Sequence, residues 1–267
     1  MDYIKENTTS ASSDINDSQS QQSIENDQQE RARQSQVERV INLTDDMTLF
    51  HDEYRECYAF RNGVCIKIES QPFEDWLSYR KYQFDGRAPT KDVLNRSIAT
   101  LKGIALFEND MIQLENRVAH RDGFYYYYLG DHRSVKYSET GWEIVDSHPL
   151  FRRYKHQAKQ VLPVRGGNVY DLFKFINVRE EHQLLVLATI ISYYLPGFPH
   201  PIFHPWGPQG ERKTSLFRVI KRLVDPSTVE TLMSNNDRER MRHSLVTNYV
   251  PLFDNLSGMK GEISDML

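Results

Sequence analysis

Apolar and polar positions divide the chain into a polar opening tract, a mixed middle and a C-terminal alternation of strand-like and helix-like runs. Residues 1–36 hold almost no branched or aromatic apolar side chains and cannot bury a core, so a disordered tail, or a tail that binds a partner, is expected there. A short polar helix over about 28–41 leads into the folded part. CYAF and VCIKIE alternate around Arg61-Asn62-Gly63, a hairpin signal. PFEDWLSYRKYQF repeats its apolar positions at helical spacing, and TKDVLNRSIATLKGIALF predicts a second amphipathic helix with Thr90 as its N-cap. Strands follow over MIQLENRVAH, GFYYYYLG, SVKYSE and GWEIVD, with His120, His132 and His148 in the loops. NVYDLFKFINV and EEHQLLVLATIISYYL read as two helices, the second largely apolar and therefore buried, ended by Pro196-Gly197.

The next stretch, HPIFHPWGPQGERKTSLFRVIKRLVD, carries the sharpest chemistry. A phosphate-binding loop needs an incoming strand, glycines that let backbone N–H groups approach phosphate, and a helix whose N-terminus faces the anion. Pro201–Trp206 supplies the expected strand, Gly207 and Gly210 the loop, and LFRVIKRLVD the helix, ending before Asp225-Pro226. Lys213 and Thr214 stand where the lysine and the metal-binding hydroxyl of such a loop belong, followed by Ser215. Arg212 occupies the place of the last glycine. VETLM then reads as a strand, NNDRERMRHSLVTN as a helix, and YVPLFDN as an apolar strand ending at Asp254, followed by Asn255. An acidic residue ending such a strand is what holds the hydration shell of a nucleotide's Mg²⁺. The alternation predicts an α/β nucleotide-binding core after a mixed α+β region.

Composition narrows the classes. The 267 residues are 39% hydrophobic and 26% charged, with net charge −4, which argues against a strongly basic nucleic-acid coat but not against a local basic surface. FRRYKHQAKQVLPVRGG gathers Arg152, Arg153, Lys155, Lys159 and Arg165, either a solvated linker or a set of phosphate contacts. FYYYYLG offers aromatic faces for base stacking, through Tyr126 or Tyr128, although alternation along a strand assigns about half of these rings to the core. The two cysteines, Cys57 and Cys65, could face each other across the hairpin; they form neither a disulfide scaffold nor a zinc site, and a structural role is expected. No run of about eighteen apolar residues and no apolar signal core occurs, so a soluble, cytoplasmic chain without membrane contact is expected.

GPQGERKTSLFRVIKRLVDPS together with LFDNLSGMKGEISDML resembles the ATPase module of phage- and plasmid-type, primase-associated, helicase-like replication proteins, which are related to the AAA+ class. The similarity extends upstream through VRGGNVYDLFKFINV to LFHDEYRECYAF, so that it covers most of residues 47–267. The resemblance implies ATP and Mg²⁺ as cofactors, hydrolysis coupled to DNA, and a homo-oligomeric full-length form. On this chain it implies phosphate binding by Gly207, Gly210, Arg212, Lys213, Thr214 and Ser215, metal binding by Thr214 and Asp254, and catalytic roles for Asp254 and Asn255. Two departures matter. Family loops tolerate alanine at the position of Arg212, so its Cβ fits while its guanidinium must point away. Many AAA+ enzymes place a glutamate after the strand-end aspartate; Asn255 can hydrogen-bond a water but is no general base. The sequence also ends one helix after Asp254, short of the intervening strand, sensor and arginine finger of an AAA+ core, so an incomplete core of reduced activity is expected.

The organisation so predicted is a tail over 1–36, an α+β accessory domain over 40–165 and a partial P-loop ATPase domain over 166–267. The competing reading is a nucleic-acid-binding or interaction module in which residues 40–160 act, with Arg152, Arg153 and Lys155 on DNA phosphates, and the nucleotide loop is vestigial.

Overall fold

In a computed structural model, residues 35–148, 150–205, 213–233 and 237–254 are described. They fall into two compact units, residues 35–47 with 68–104, and 48–67 with the residues from 105 onward. The second unit runs across position 165, where the sequence suggests a domain boundary.

The first unit is helical. Ser35 caps α1 (Gln36–Ile41) reciprocally: its hydroxyl accepts from the Glu38 N–H, and the Glu38 carboxylate accepts from the Ser35 N–H at 2.8 Å. Such a capping box satisfies two otherwise orphaned donors. α2 (Gln71–Asp85) begins with proline in its first turn and stops at Gly86, whose φ of 71° only glycine adopts cheaply. It buries Phe73, Leu77 and Lys81, one helical face, with the Lys81 ammonium neutralised by Asp85. α3 (Lys91–Phe107) starts at Thr90, whose hydroxyl accepts from the Val93 N–H, and turns Leu94, Ile98 and Leu101 inward.

The second unit opens with an antiparallel sheet, β1 (Thr48–His51), β2 (Cys57–Arg61) and β3 (Val64–Lys67). The Asn62-Gly63 turn has positive φ at both residues, as a tight hairpin requires. The pairing sets Cys65 opposite Phe60 and Cys57 opposite His51, so the thiols do not face one another as the sequence alone allows. Both are buried and neither is in a disulfide.

A four-stranded meander follows: β4 (Val118–Arg121), β5 (Phe124–Tyr128), β6 (Arg133–Ser138) and β7 (Gly141–Asp146), paired in that order. The strand expected from Met111 begins only at Val118; Met111 makes one isolated bridge to His51. His120 is a strand residue rather than a loop residue. Tyr126, Tyr127 and Tyr128 are all buried, because both faces of the sheet are covered. Tyr126 and Tyr128 pack with Ala119, Leu150 and Phe151; Tyr127 packs on the other side with Val118 and Leu129, under Tyr194 and Tyr249.

NVYDLFKFINV forms a 3-10 turn over Val169–Lys174 rather than an α-helix. α4 (Glu180–Ser192) buries Val186, Leu187 and Ile190 as its apolar character suggests, but Leu184 and Leu185 remain 72% and 65% exposed. Residues 201–205 form no strand; Pro201 and Pro205 lack the N–H that a ladder needs. α5 (Lys213–Val224), β8 (Leu232–Met233), α6 (Arg238–Thr247) and β9 (Phe253–Asp254) complete the described chain, with β8 and β9 parallel. Ile220 and Val224 of α5 join Val186, Ile190, Val250 and Leu252 in one core. The architecture is mixed α and β.

Candidate functional site

Lys213, Thr214 and Ser215 form the first turn of α5, the position from which the sequence suggests they address a phosphate. Gly207, Gly210 and Arg212 lie outside the described residues, as does Asn255. Asp254 is the last residue of β9, in register with Met233 of β8.

What fixes α5 against β9 is a buried charge cluster at the other end of the helix. Asp225, directly after α5, is 2% exposed, and Arg117, the residue before β4, is fully buried. The Arg117 Nε donates to Asp225 Oδ1 at 3.1 Å, and its other nitrogens donate to the carbonyls of Tyr128 and Pro226 at 3.2 and 3.0 Å. Asp225 Oδ2 accepts from Lys221 Nζ at 2.6 Å and from the N–H groups of Tyr249 and Val250, each at 3.1 Å. The Lys221 ammonium also donates to the Val250 carbonyl at 2.8 Å. Burial pushes the Asp225 carboxyl upward, but Lys221 and Arg117 outweigh it and hold the group below its ordinary value. Both oxygens of this carboxylate therefore accept hydrogen bonds, and one residue ties the end of α5, the segment before β9 and the residue before β4 together.

Around this clamp the tyrosine hydroxyls are likewise satisfied. Tyr127 Oη donates to the Val224 carbonyl and Tyr194 Oη to the Leu223 carbonyl, both at 2.9 Å. The sequence marks Asp225 only as a helix terminator. Nothing local in ENRVAH or VDPST signals that Arg117 and Asp225 meet, because the contact is long-range.

The basic run is not uniform. Arg152 donates to Asp52 Oδ2 at 3.0 Å, to Glu53 Oε1 at 2.7 Å and to the Leu114 carbonyl, and its guanidinium lies over the Tyr54 ring. Its side chain is 13% exposed, and its charge is already neutralised inside the protein. Arg153, Lys155, Lys159 and Arg165 are exposed. Tyr126 and Tyr128, the rings the sequence offers for base stacking, are 8% and 2% exposed and belong to the core.

No family model, curated protein or solved structure matches the chain.

Proposed function

We propose that this chain carries the phosphate-binding part of a P-loop, AAA+-like ATPase of the helicase-like, mobile-element replication type, acting on DNA. The observation that carries the reading is the placement of Lys213-Thr214 and Asp254 on a β8–α6–β9 parallel unit and the helix clamped to it. α5 is held at its C-terminal end against the entry to β9 by Asp225. Its N-terminal turn begins at Lys213 and Thr214, and the N-terminus of a helix is electrostatically suited to an anion.

In this reading Gly207, Gly210, Arg212 and Ser215 line the phosphates, and Lys213 reaches the terminal ones as a point charge. The Thr214 hydroxyl and the Asp254 carboxylate are hard oxygen donors of the kind Mg²⁺ takes, one direct and one through water. Bound Mg²⁺ would supply charge neutralisation at the β- and γ-phosphates. Asn255 orients water without accepting its proton, so turnover is slow. A homo-oligomer is the expected working form, since ATPases of this design complete their sites between subunits.

The test is binding of a fluorescent ATP analogue with Mg²⁺ to the full chain. Lys213→Ala should abolish binding while leaving the circular dichroism spectrum unchanged, and Arg212→Gly should tighten it. Tight binding that ignores Lys213→Ala overturns the assignment.

A further inference from the structure

A row of aromatic side chains crosses the meander. His120, Tyr125, Tyr137 and Trp142 are directly opposite one another on four successive strands. Residues opposed in an antiparallel sheet share a face, so these rings form one ladder. His120 and Tyr125 centroids lie 4.6 Å apart, and Tyr125 and Tyr137 stack at 5.4 Å. At the β7 end the Arg165 guanidinium lies 4.6 Å over the Trp142 ring and donates to the Trp142 carbonyl at 2.8 Å.

Over the last two rings of this row the fold leaves a cavity of about 540 Å³. Val135, Tyr137 and Trp142 line it from the sheet, and Gln160, Val161 and Tyr194 from the other elements. The Tyr137 hydroxyl and the Gln160 amide are used internally: Tyr137 Oη donates to the Tyr194 carbonyl, and the Gln160 amide donates to the Leu223 carbonyl at 2.8 Å and to Tyr127 Oη at 3.2 Å. Apart from Glu139, the wall offers a ligand mainly ring face and aliphatic surface, which favours a flat ring held by stacking. A volume of this size accommodates small-molecule ligands in general.

The surroundings say what the ring is attached to. Exposed Lys159 precedes the wall residues and exposed Arg165 follows them, and neither has a carboxylate partner among the described residues. Beyond Trp142 lies a second hollow of about 500 Å³, lined by Arg165, Gly166, Gly167 and Asn168. No side chain crowds its two glycines, so backbone can approach an anion there. Glu139 lies on the rim of the apolar cavity and repels phosphate from that side. The row continues past the cavity to exposed His120, but Tyr125 is packed between His120 and Tyr137, so the ring faces open to a ligand are those of Tyr137 and Trp142 at the cavity.

We infer that the cavity over Tyr137 and Trp142 takes a nucleobase of a single-stranded nucleic acid, whose phosphodiester backbone follows Lys159 to Gly167. This deepens the nucleic-acid part of the proposed function and rests on that part alone; the phosphate loop has no role in it. The ring contacts are sequence-tolerant, so affinity should vary little with base identity.

The test uses the full chain without nucleotide and a labelled mixed-sequence single-stranded oligonucleotide, read by fluorescence anisotropy. Trp142→Ala should weaken binding by roughly five- to a hundred-fold, the range for one lost base–ring stack, and Trp142→Phe should restore most of it. Lys159→Ala with Arg165→Ala should shrink the log affinity–log salt slope by about 1.4, at about 0.7 per cation on a single strand. On the unmodified chain, a photoreactive iodouracil oligonucleotide should cross-link within the peptide that spans Tyr137 and Trp142, which keeps the test independent of how the variants fold. Absence of single-strand binding, cross-links confined to other peptides, or affinity unmoved by Trp142→Ala each overturn the inference. So does a duplex of equal length bound as tightly, or AMP competing as well as the oligonucleotide, the latter pointing to a free-nucleotide site.

Discussion

Arg117 and Asp225 meet as a buried ion pair at 3.1 Å although 108 positions separate them in the chain. The pair joins the antiparallel meander to the end of α5, and through the Tyr249 and Val250 N–H groups to the approach of β9. Buried charges are costly unless fully compensated. Here Asp225 has four donors, and the guanidinium reaches three backbone carbonyls besides, those of Tyr128, Ala158 and Pro226. The C-terminal end of α5 is thus held to the residues before β4 and before β9.

Asp225→Ala should be among the most destabilising single substitutions in the chain. It leaves Arg117 and Lys221 buried without their carboxylate, a loss of about 3–5 kcal/mol. Lys221→Met should cost less, because Asp225 keeps Arg117 and two backbone donors. Urea unfolding at neutral pH compares the two. Equal, small effects would mean that the cluster does not hold the fold.

The same carboxylate gives a sign to the acid response. Its folded value lies below the ordinary carboxylate range, so the unfolded chain takes up the proton first as pH falls. The stability it contributes is complete above the unfolded value of about 3.9 and is lost as pH drops through the lower folded one. The urea midpoint should therefore be insensitive to this group from pH 5 to 7 and fall below about pH 4. Asp225→Asn should flatten that fall, and an unchanged acid limb would remove Asp225 as its source.

Local signals in the sequence account for the elements, and long-range pairing accounts for what they miss. Periodicity in PFEDWLSYRKYQF, the Thr90 cap, Asn62-Gly63 and the stop at Asp225-Pro226 each depend on neighbours a few residues away, and each is found as expected. The parallel run of β8 and β9 follows from alternation of short apolar runs with a helix. Tyr126 and Tyr128 mislead because alternation assumes one wet face, whereas Phe151 and Tyr194 cover opposite faces of the meander. Arg152 misleads because composition sees a basic run but not the Asp52 and Glu53 that meet it. The cross-strand row of His120, Tyr125, Tyr137 and Trp142 needs register, which no single strand encodes.

The basic run should therefore separate into two behaviours. Arg152→Ala breaks contacts to Asp52, Glu53 and the Leu114 carbonyl, and should cost about 3 kcal/mol of stability. Arg153→Ala and Lys155→Ala, both at exposed positions, should stay within about 0.5 kcal/mol. If these two residues contact duplex DNA, their joint removal should reduce the salt slope by just under about 2. Thermal melts and a gel-shift salt series separate the roles; a salt slope that follows Arg152 instead would contradict them.

The two tight hairpins offer an internally controlled experiment on backbone packing. Asn62-Gly63 between β2 and β3, and Asp122-Gly123 between β4 and β5, both place their two turn residues at positive φ, with 77° and 78° at the glycines. An alanine at either glycine pays for the left-handed conformation, roughly 1–2 kcal/mol. The surroundings differ. A Cβ at Gly123 meets nothing within 4 Å, whereas a Cβ at Gly63 would sit 2.4 Å from the His132 carbonyl oxygen. That atom is backbone in the turn after β5 and cannot rotate away, and the Ser147 N–H already holds it at 2.7 Å. Gly63→Ala should therefore exceed Gly123→Ala by a further 1–3 kcal/mol or so, the usual range for forced overpacking. Urea unfolding of the two variants reads the difference directly, since the conformational cost cancels. Equal losses would show that the β2–β3 turn does not press on His132.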